Sequence, residues 1–375
     1  MDYNKLKSNI ESNNLYFFVF ICALCCLNFG LLVLLAHHRS ITDATCQWDC
    51  FWYTDIVKNG YATQPFWYDQ SRLAEGNWAF FPLYPAIAYA FHSALSIPPL
   101  AAELLVNVIL WPILIYLCHM HLRDRSITLD RIKFAIFFVI FPFNLWYTSE
   151  YSEGVYGTLL ILILILLQKN YLKWAAFFCF LIGLSRPTGF ISVAFIAAWL
   201  FFIKTYVKNQ SLSWKNVFIR LQESTLLVSA AGAGLSLYVL YLFHLTGDGF
   251  AFSHVEVAWF RKFDWLPVQF VHALKEKNQR SFVVFSIFVM YVLYKMYKKK
   301  WYFEASFMTF IAFIAASTGL QSIERYALSN PLVMEFLALS TLSQPPARQK
   351  KILALLLVLH IVAIKIWFHG KIWFV

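Results

Sequence analysis

The chain is short of charge. Only 14% of its 375 residues are Asp, Glu, Lys or Arg, against about 25% in a soluble domain. That excludes an ordinary water-soluble globule, because too few ionised groups exist to cover its surface. Patterns that announce several common chemistries are missing too. The seven cysteines show no paired zinc-site spacing. The "GDG" at 247–249 is followed by no Lys-Ser/Thr pair and no helix-opening glycine pattern, so it reads as a turn and not a phosphate loop. There is no internal repeat, which removes support for an inverted-repeat transporter. No small-residue cleavage site follows the first apolar run, so that run reads as a retained anchor.

What is abundant is apolar: 60% hydrophobic and 19% aromatic residues, with a mean hydropathy of +0.59. Apolar runs occur at 15–37, 79–96, 100–121, 132–148, 154–168, 171–185, 188–205, 222–245, 281–297, 302–321, 327–342 and 351–369. Most approach the ~20 residues a helix needs to cross a bilayer. The expected class is an all-α polytopic membrane protein. The net charge of +11 does not imply nucleic acid, because the basic residues sit in short connectors between apolar runs. These are Arg123/Arg125/Arg131/Lys133, Lys169/Lys173, Lys204/Lys208/Lys215/Arg220, Lys295/Lys298/Lys299/Lys300 and Arg348/Lys350/Lys351, with Lys5 and Lys7 at the N-terminus. Such clusters stay cytoplasmic.

All of them reach one side if 79–96 is a short re-entrant or juxtamembrane helix, which Pro82, Pro85 and Pro98-Pro99 favour. The reading is then about eleven crossings, N-terminus inside and C-terminus outside, with 171–205 split into two short helices at "SRPTG". The expectation is one transmembrane domain over 1–375, with outer segments 38–99 and 246–280. The second departs from the charge rule, carrying five Lys or Arg diluted by four acids.

The unusual polar residues fall on the predicted outer side. In "WDCFWYTDI" (48–56), Trp48, Phe51, Trp52 and Ile56 follow the spacing of one helix face. An interfacial anchor explains them but does not need Asp49, a carboxylate able to serve as general base beside an apolar wall. Cys46 and Cys50 are four apart; on a regular helix that spacing does not favour a disulfide. "SEYSEG" places Glu150 and Glu153 on one helix face, entering an apolar run, where an acid marks either a site or a helix cap. Arg186 in "LSRPTGF" and Arg325 in "IERYAL" are each a phosphate binder or a plain structural cation; for Arg325 the structural partners are Glu324 or Glu153. His244 and His254 read as structural.

The order of these motifs resembles the PIG-V-type mannosyltransferases, the GPI mannosyltransferase 2 family and its bacterial relatives. "WDCFWYTDIVKNGY", "NWAFFPLYP", "FPFNLWYTSEYSEGVY", "LSRPTGF", "GDGFAFSHVEVAWFRK" and "ERYALSNPL" are similar to that family's motifs, in order, from about residue 46 to 332. Trp78, Glu256 and Gly249 depart from its common residues. The resemblance implies a GT-C-like bundle. It implies transfer of a sugar, mannose, with inversion, from a polyprenyl-phosphate carrier to a hydroxyl on a lipid or glycan at the non-cytoplasmic face. Asp49 takes the role of base, and Arg186 and Arg325 hold the leaving phosphate. Trp48, Tyr53, Glu150, Tyr151, Glu153, Glu256 and Trp259 line the substrates, and "AFFPLYP" roofs the site. A divalent metal is left open, since the first loop holds no close Asp-x-Asp pair. Expected partners are the bilayer, the lipid-linked sugar and its acceptor. The expected location is a bacterial inner membrane, or the endoplasmic reticulum in a eukaryote. The rival readings are a transporter or lipid-linked sugar flippase, and a non-catalytic envelope scaffold.

Overall fold

The computed structural model describes residues 3–65, 75–203, 205 and 214–370. Of the positions used above, Lys204, Lys208 and residues 66–74 lie outside the described residues. The protein is an all-α polytopic membrane protein. In chain order the helices are α1 (Tyr3–Ser12), α2 (Asn14–Ala36), α3 (Ile41–Thr45), α4 (Asp49–Asn59), α5 (Leu83–Leu95), α6 (Pro99–Asp124), α7 (Arg131–Ile140), α8 (Glu153–Gln168) and α9 (Leu172–Gly183). There follow α10 (Pro187–Phe202), α11 (Trp214–Thr246), α12 (Ala251–His254), α13 (Leu266–Lys275), α14 (Arg280–Lys298), α15 (Tyr302–Thr318), α16 (Ile323–Ala327), α17 (Pro331–Leu342) and α18 (Pro346–Phe368).

Among the described residues, five segments are long and apolar enough to cross a membrane: α2, α6, α11, Lys277–Lys298 and α18. Five further apolar helices, α8, α9, α10, α15 and α17, have 10–17 residues, short of the ~20 that span hydrocarbon unaided. The 132–148 run is broken: α7 stops at Ile140 and a 3-10 turn runs Pro142–Tyr147, because Pro142 cannot continue the helix. Helix α5 has 13 residues, about 20 Å of rise. The break at "SRPTG" is as expected, with α9 ending at Gly183 and α10 opening on Pro187.

The chain forms two compact units. Unit 1 comprises residues 1–54, 87–161 and 322–375. Its core joins α2, α6, α7, α17 and α18, with Trp111, Trp146, Tyr147, Phe134 and Phe138 all buried. Trp111 and Tyr147 stack at 4.7 Å.

Unit 2 comprises residues 55–86 and 162–321. Its tightest packing is among α9, α10 and α11. A Cβ on Gly183 would lie 2.2 Å from the Ala231 carbonyl, and one on Gly234 would lie 2.1 Å from the Phe180 carbonyl. Small residues let helix backbones meet where no hydrophobic gain between helices exists in lipid. A second cluster of unit 2 gathers Trp78, Phe81, Tyr238, Leu242, Ala251 and Val255. The Tyr238 hydroxyl donates to the Trp78 carbonyl at 2.7 Å, and the Trp78 indole donates to the Ala62 carbonyl at 2.7 Å.

Candidate functional site

The polar centre of unit 1 is assembled from three distant segments. Asp49 opens α4, Glu153 opens α8, and Arg325 lies in the short α16. The Arg325 Nη1 donates to Asp49 Oδ2 at 2.6 Å, and its Nε lies 3.2 Å from Glu153 Oε1. The guanidinium also lies over the Tyr151 and Tyr326 rings, 5.4 and 5.3 Å from their centroids. One cation thus serves two acids. Burial works against its charge, but Asp49 and Glu153 more than offset this and hold the Arg325 pKa well above its usual value. The side chains of Glu153 and Arg325 are 3% and 9% exposed, whereas that of Asp49 is 24% exposed. Asp49 is the most exposed member of the trio, and among the described residues its Oδ1 accepts no hydrogen bond.

Helices α3 and α4 meet at a sharp corner. Cys46 caps α3, and Trp48 takes a left-handed conformation at φ 55° before Asp49 begins α4. A bulky residue there costs about 1–2 kcal/mol, so its surroundings must hold it. The Tyr151 hydroxyl does so on both sides: it donates to the Gln47 carbonyl at 2.9 Å and accepts from the Asp49 amide at 3.3 Å. The Trp367 indole of α18 donates to the Thr45 carbonyl at 2.9 Å, and Arg39 donates to the Phe368 carbonyl. A disulfide joins Cys46 to Cys50, with Cα atoms 5.3 Å apart.

These facts correct three expectations. The four-residue cysteine spacing does form a bond, because the left-handed Trp48 breaks the helix that would have kept the two side chains apart. Trp48 precedes α4 and so leaves the predicted aromatic face. The buried stripe of α4 is Cys50, Tyr53, Ile56 and Val57, while Phe51 is exposed and Trp52 half-buried. Glu150 and Glu153 do not share a helix face, since α8 begins only at Glu153.

Glu150 is buried and points elsewhere, to Thr45. The Thr45 Oγ1 lies 2.8 Å from Glu150 Oε1 and 2.8 Å from the Ile41 carbonyl. A hydroxyl has one proton to give. A protonated Glu150 satisfies the set by donating to Thr45, which then donates to Ile41. Burial, only partly offset by Thr45, pushes the Glu150 carboxyl up to about 8. Burial likewise holds the Tyr151 phenol in its neutral form, with a pKa well above the usual.

The turn carrying these groups is fixed from α6, by a residue that sequence reasoning missed. Asn107 is fully buried, and its Nδ2 donates to the carbonyls of Ser149 at 2.5 Å and Tyr151 at 2.8 Å. Its Oδ1 lies against Gly154, where a Cβ would come within 2.2 Å. A lone Asn inside an apolar run was the available signal.

The other predicted site residues belong to unit 2. Arg186 is buried at the break before α10, with extended backbone. Glu256 lies 3.5 Å from the Arg261 Nε, and Arg261 also donates to the Gln321 carbonyl at 3.2 Å. Trp259 packs on the Trp78 cluster and meets Phe80 edge-on at 5.9 Å. "GDG" is a turn after α11, and Asp248 accepts from the His254 ring at 2.7 Å. Among the described residues no group of three or more His, Cys, Asp or Glu is arranged to hold a metal ion.

No protein-family model and no curated protein matches the sequence. Among solved structures, the chain is similar to the archaeal oligosaccharyltransferase AglB from Archaeoglobus fulgidus in complex with an inhibitory peptide and a dolichol-phosphate. The TM-score is 0.49 at 12% identity, over 97% of this chain and 56% of that one. The likeness to the Archaeoglobus fulgidus oligosaccharyltransferase with zinc and sulfate has a TM-score of 0.47 at 13% identity, over 93% of this chain and 52% of that one. This chain therefore spans about half the length of the structures it matches. A likeness of this depth decides nothing about activity, donor or acceptor.

Proposed function

We propose that the protein is an inverting membrane glycosyltransferase of the GT-C type. In this reading it moves mannose from a polyprenyl phosphate to a hydroxyl on a lipid or glycan, at the non-cytoplasmic face. The observation that carries it is the convergence of three motifs far apart in sequence. "WD", "YSE" and "ERY" meet in unit 1 as Asp49, Tyr151–Glu153 and Arg325, with Asp49 partly open. A scaffold has no use for an accessible carboxylate held at one oxygen by an otherwise buried cation.

The chemistry follows from that grip. Oδ2 of Asp49 stays on Arg325, and Oδ1 receives the proton of the acceptor hydroxyl. The acceptor oxygen bonds to the anomeric carbon on the face opposite the phosphate, while the carbon–oxygen bond to the phosphate breaks. Arg325 and Glu153 orient the base. The motif resemblance gives Arg186, with Arg325, the leaving phosphate, an electrostatic task that generally contributes much of the rate. Trp48 and Tyr53 flank the base, and the motif resemblance assigns Glu256 and Trp259 to substrate binding.

The test is transfer of labelled mannose from polyprenyl-phosphate mannose by purified protein, with a crude lipid and glycan extract as acceptor. Wild type should transfer, and D49N should lose more than about a hundredfold, the scale of general-base catalysis. Equal transfer by both would remove Asp49 as base. No transfer by wild type with any of a panel of polyprenyl-phosphate sugars would remove the enzyme.

A further inference from the structure

We propose that the Cys46–Cys50 disulfide is a positioning device for Asp49, closed by an oxidant of the non-cytoplasmic compartment. It rests on the glycosyl-transfer reading only for what Asp49 does once in place.

The bond encloses Gln47, Trp48 and Asp49. That covalent ring contains the one strained backbone residue of the corner, Trp48. It also contains both backbone groups that the Tyr151 hydroxyl grips, the Gln47 carbonyl and the Asp49 amide. Helix α3, on one side of the ring, is tied down through Thr45, whose side chain meets Glu150 and whose carbonyl meets Trp367. Helix α4, on the other side, opens with Asp49, held by Arg325, and Cys50, held by the disulfide. With the ring closed, the first turn of α4 has one direction relative to α3, and Asp49 Oδ2 falls on Arg325. With it open, Trp48 is free to relax toward ordinary backbone angles, which turns the start of α4.

The cysteine distribution points to where the bond is made. The five free cysteines, 22, 25, 26, 118 and 179, all lie in the apolar helices α2, α6 and α9. The two that pair lie in a corner between helices. Disulfides persist in oxidising compartments and are kept reduced in the cytosol. The basic connectors independently put the same corner on the side away from the cytoplasm. Closing the bond removes two S–H protons and two electrons from Cys46 and Cys50. A disulfide-bearing oxidant, by thiol–disulfide exchange, accepts both and leaves as a dithiol.

Three readouts decide it. Cells expressing the protein are quenched in acid, and thiols are alkylated under denaturing conditions before and after reduction. Cys46 and Cys50 should label only after reduction; labelling before it overturns the proposal. Second, D49N and R325K are combined in a thermal-unfolding cycle, with and without C46S/C50S. The non-additivity of the two Tm shifts should fall by more than half when the bond is absent. Equal non-additivity in both backgrounds overturns the positioning role. Where C46S/C50S does not fold, reduced wild type carries the same comparison. Third, C46S/C50S should lower kcat for mannose transfer about tenfold with donor KM within twofold; unchanged kcat overturns it. A wild type that transfers nothing would sink the glycosyl-transfer reading alone, and the first two readouts would still decide the disulfide's role.

Discussion

Two carboxylate clusters of unit 1 are built differently. On α6 and α17, His121 Nδ1 meets both oxygens of Glu335, at 3.0 and 2.9 Å, with side chains 3% and 0% exposed. At the α4 corner Arg325 is shared between Asp49 and Glu153, and the Asp49 side chain is 24% exposed. The first is a closed pair in which each partner satisfies the other and nothing can enter. The second leaves the Asp49 side chain partly exposed, with one oxygen held by Arg325. Carboxylates in apolar surroundings are costly in both places, so the difference separates a sealed pair from a partly exposed one, which the proposed function assigns as clamp and site.

The comparison can be broken from either side. Removing Glu335 should have the largest effect, because it leaves a cavity and strands the buried His121 ring nitrogen without its partner. E335A should lower the unfolding midpoint sharply, and a midpoint near wild type would mean the pair is not a clamp. D49N should reverse the pattern, with a loss of more than about a hundredfold in transfer, or about 2.7 kcal/mol of barrier, and a Tm shift that is measurable but smaller than that of E335A. Y151F comes next. It strips the hydroxyl from the Gln47 carbonyl and the Asp49 amide, each left to find another partner at about 1–3 kcal/mol if buried. Kinetics should show kcat reduced about tenfold; an unchanged kcat would show that the corner holds without that grip.

The smallest effect is a slope with pH. The Glu150 carboxyl loses its proton near 4.5 in the unfolded chain and near 8 in the folded protein. Between those values the folded state binds more protons, so this group makes stability fall as pH rises. Melting followed from pH 5 to 8 should show a steeper fall in wild type than in E150Q, and parallel curves would mean that Glu150 is ionised throughout.

Much of the architecture was legible in the sequence. Apolar runs located the helices, and Pro187 located the break at "SRPTG", whereas the break after Ile140 at Pro142 fell inside a run read as one segment. The motif order singled out Asp49, Glu153 and Arg325, and the Arg325–Glu153 pairing was one of the two structural partnerships the sequence left open. Periodicity failed at the corner. It assumes an unbroken helix, and a single left-handed residue, Trp48, moved one aromatic off its face and brought Cys46 to Cys50. Nor does spacing show that Glu150 lies one turn too early to join Glu153, because the start of α8 is fixed by tertiary contacts. Asn107 and Trp367 act on backbone carbonyls, which carry no residue-type signature in the segments they hold.

The central claim is that the open cluster is the reacting centre and the closed one a clamp. The most direct test measures D49N and E335Q together, by labelled mannose transfer and by thermal unfolding in the same lipid preparation. The account predicts a crossed result: D49N transfers less than a hundredth as fast but melts higher than E335Q, while E335Q melts lower and, below its melting point, transfers at a rate near wild type. Transfer retained by D49N, or lost equally in both variants, would contradict it.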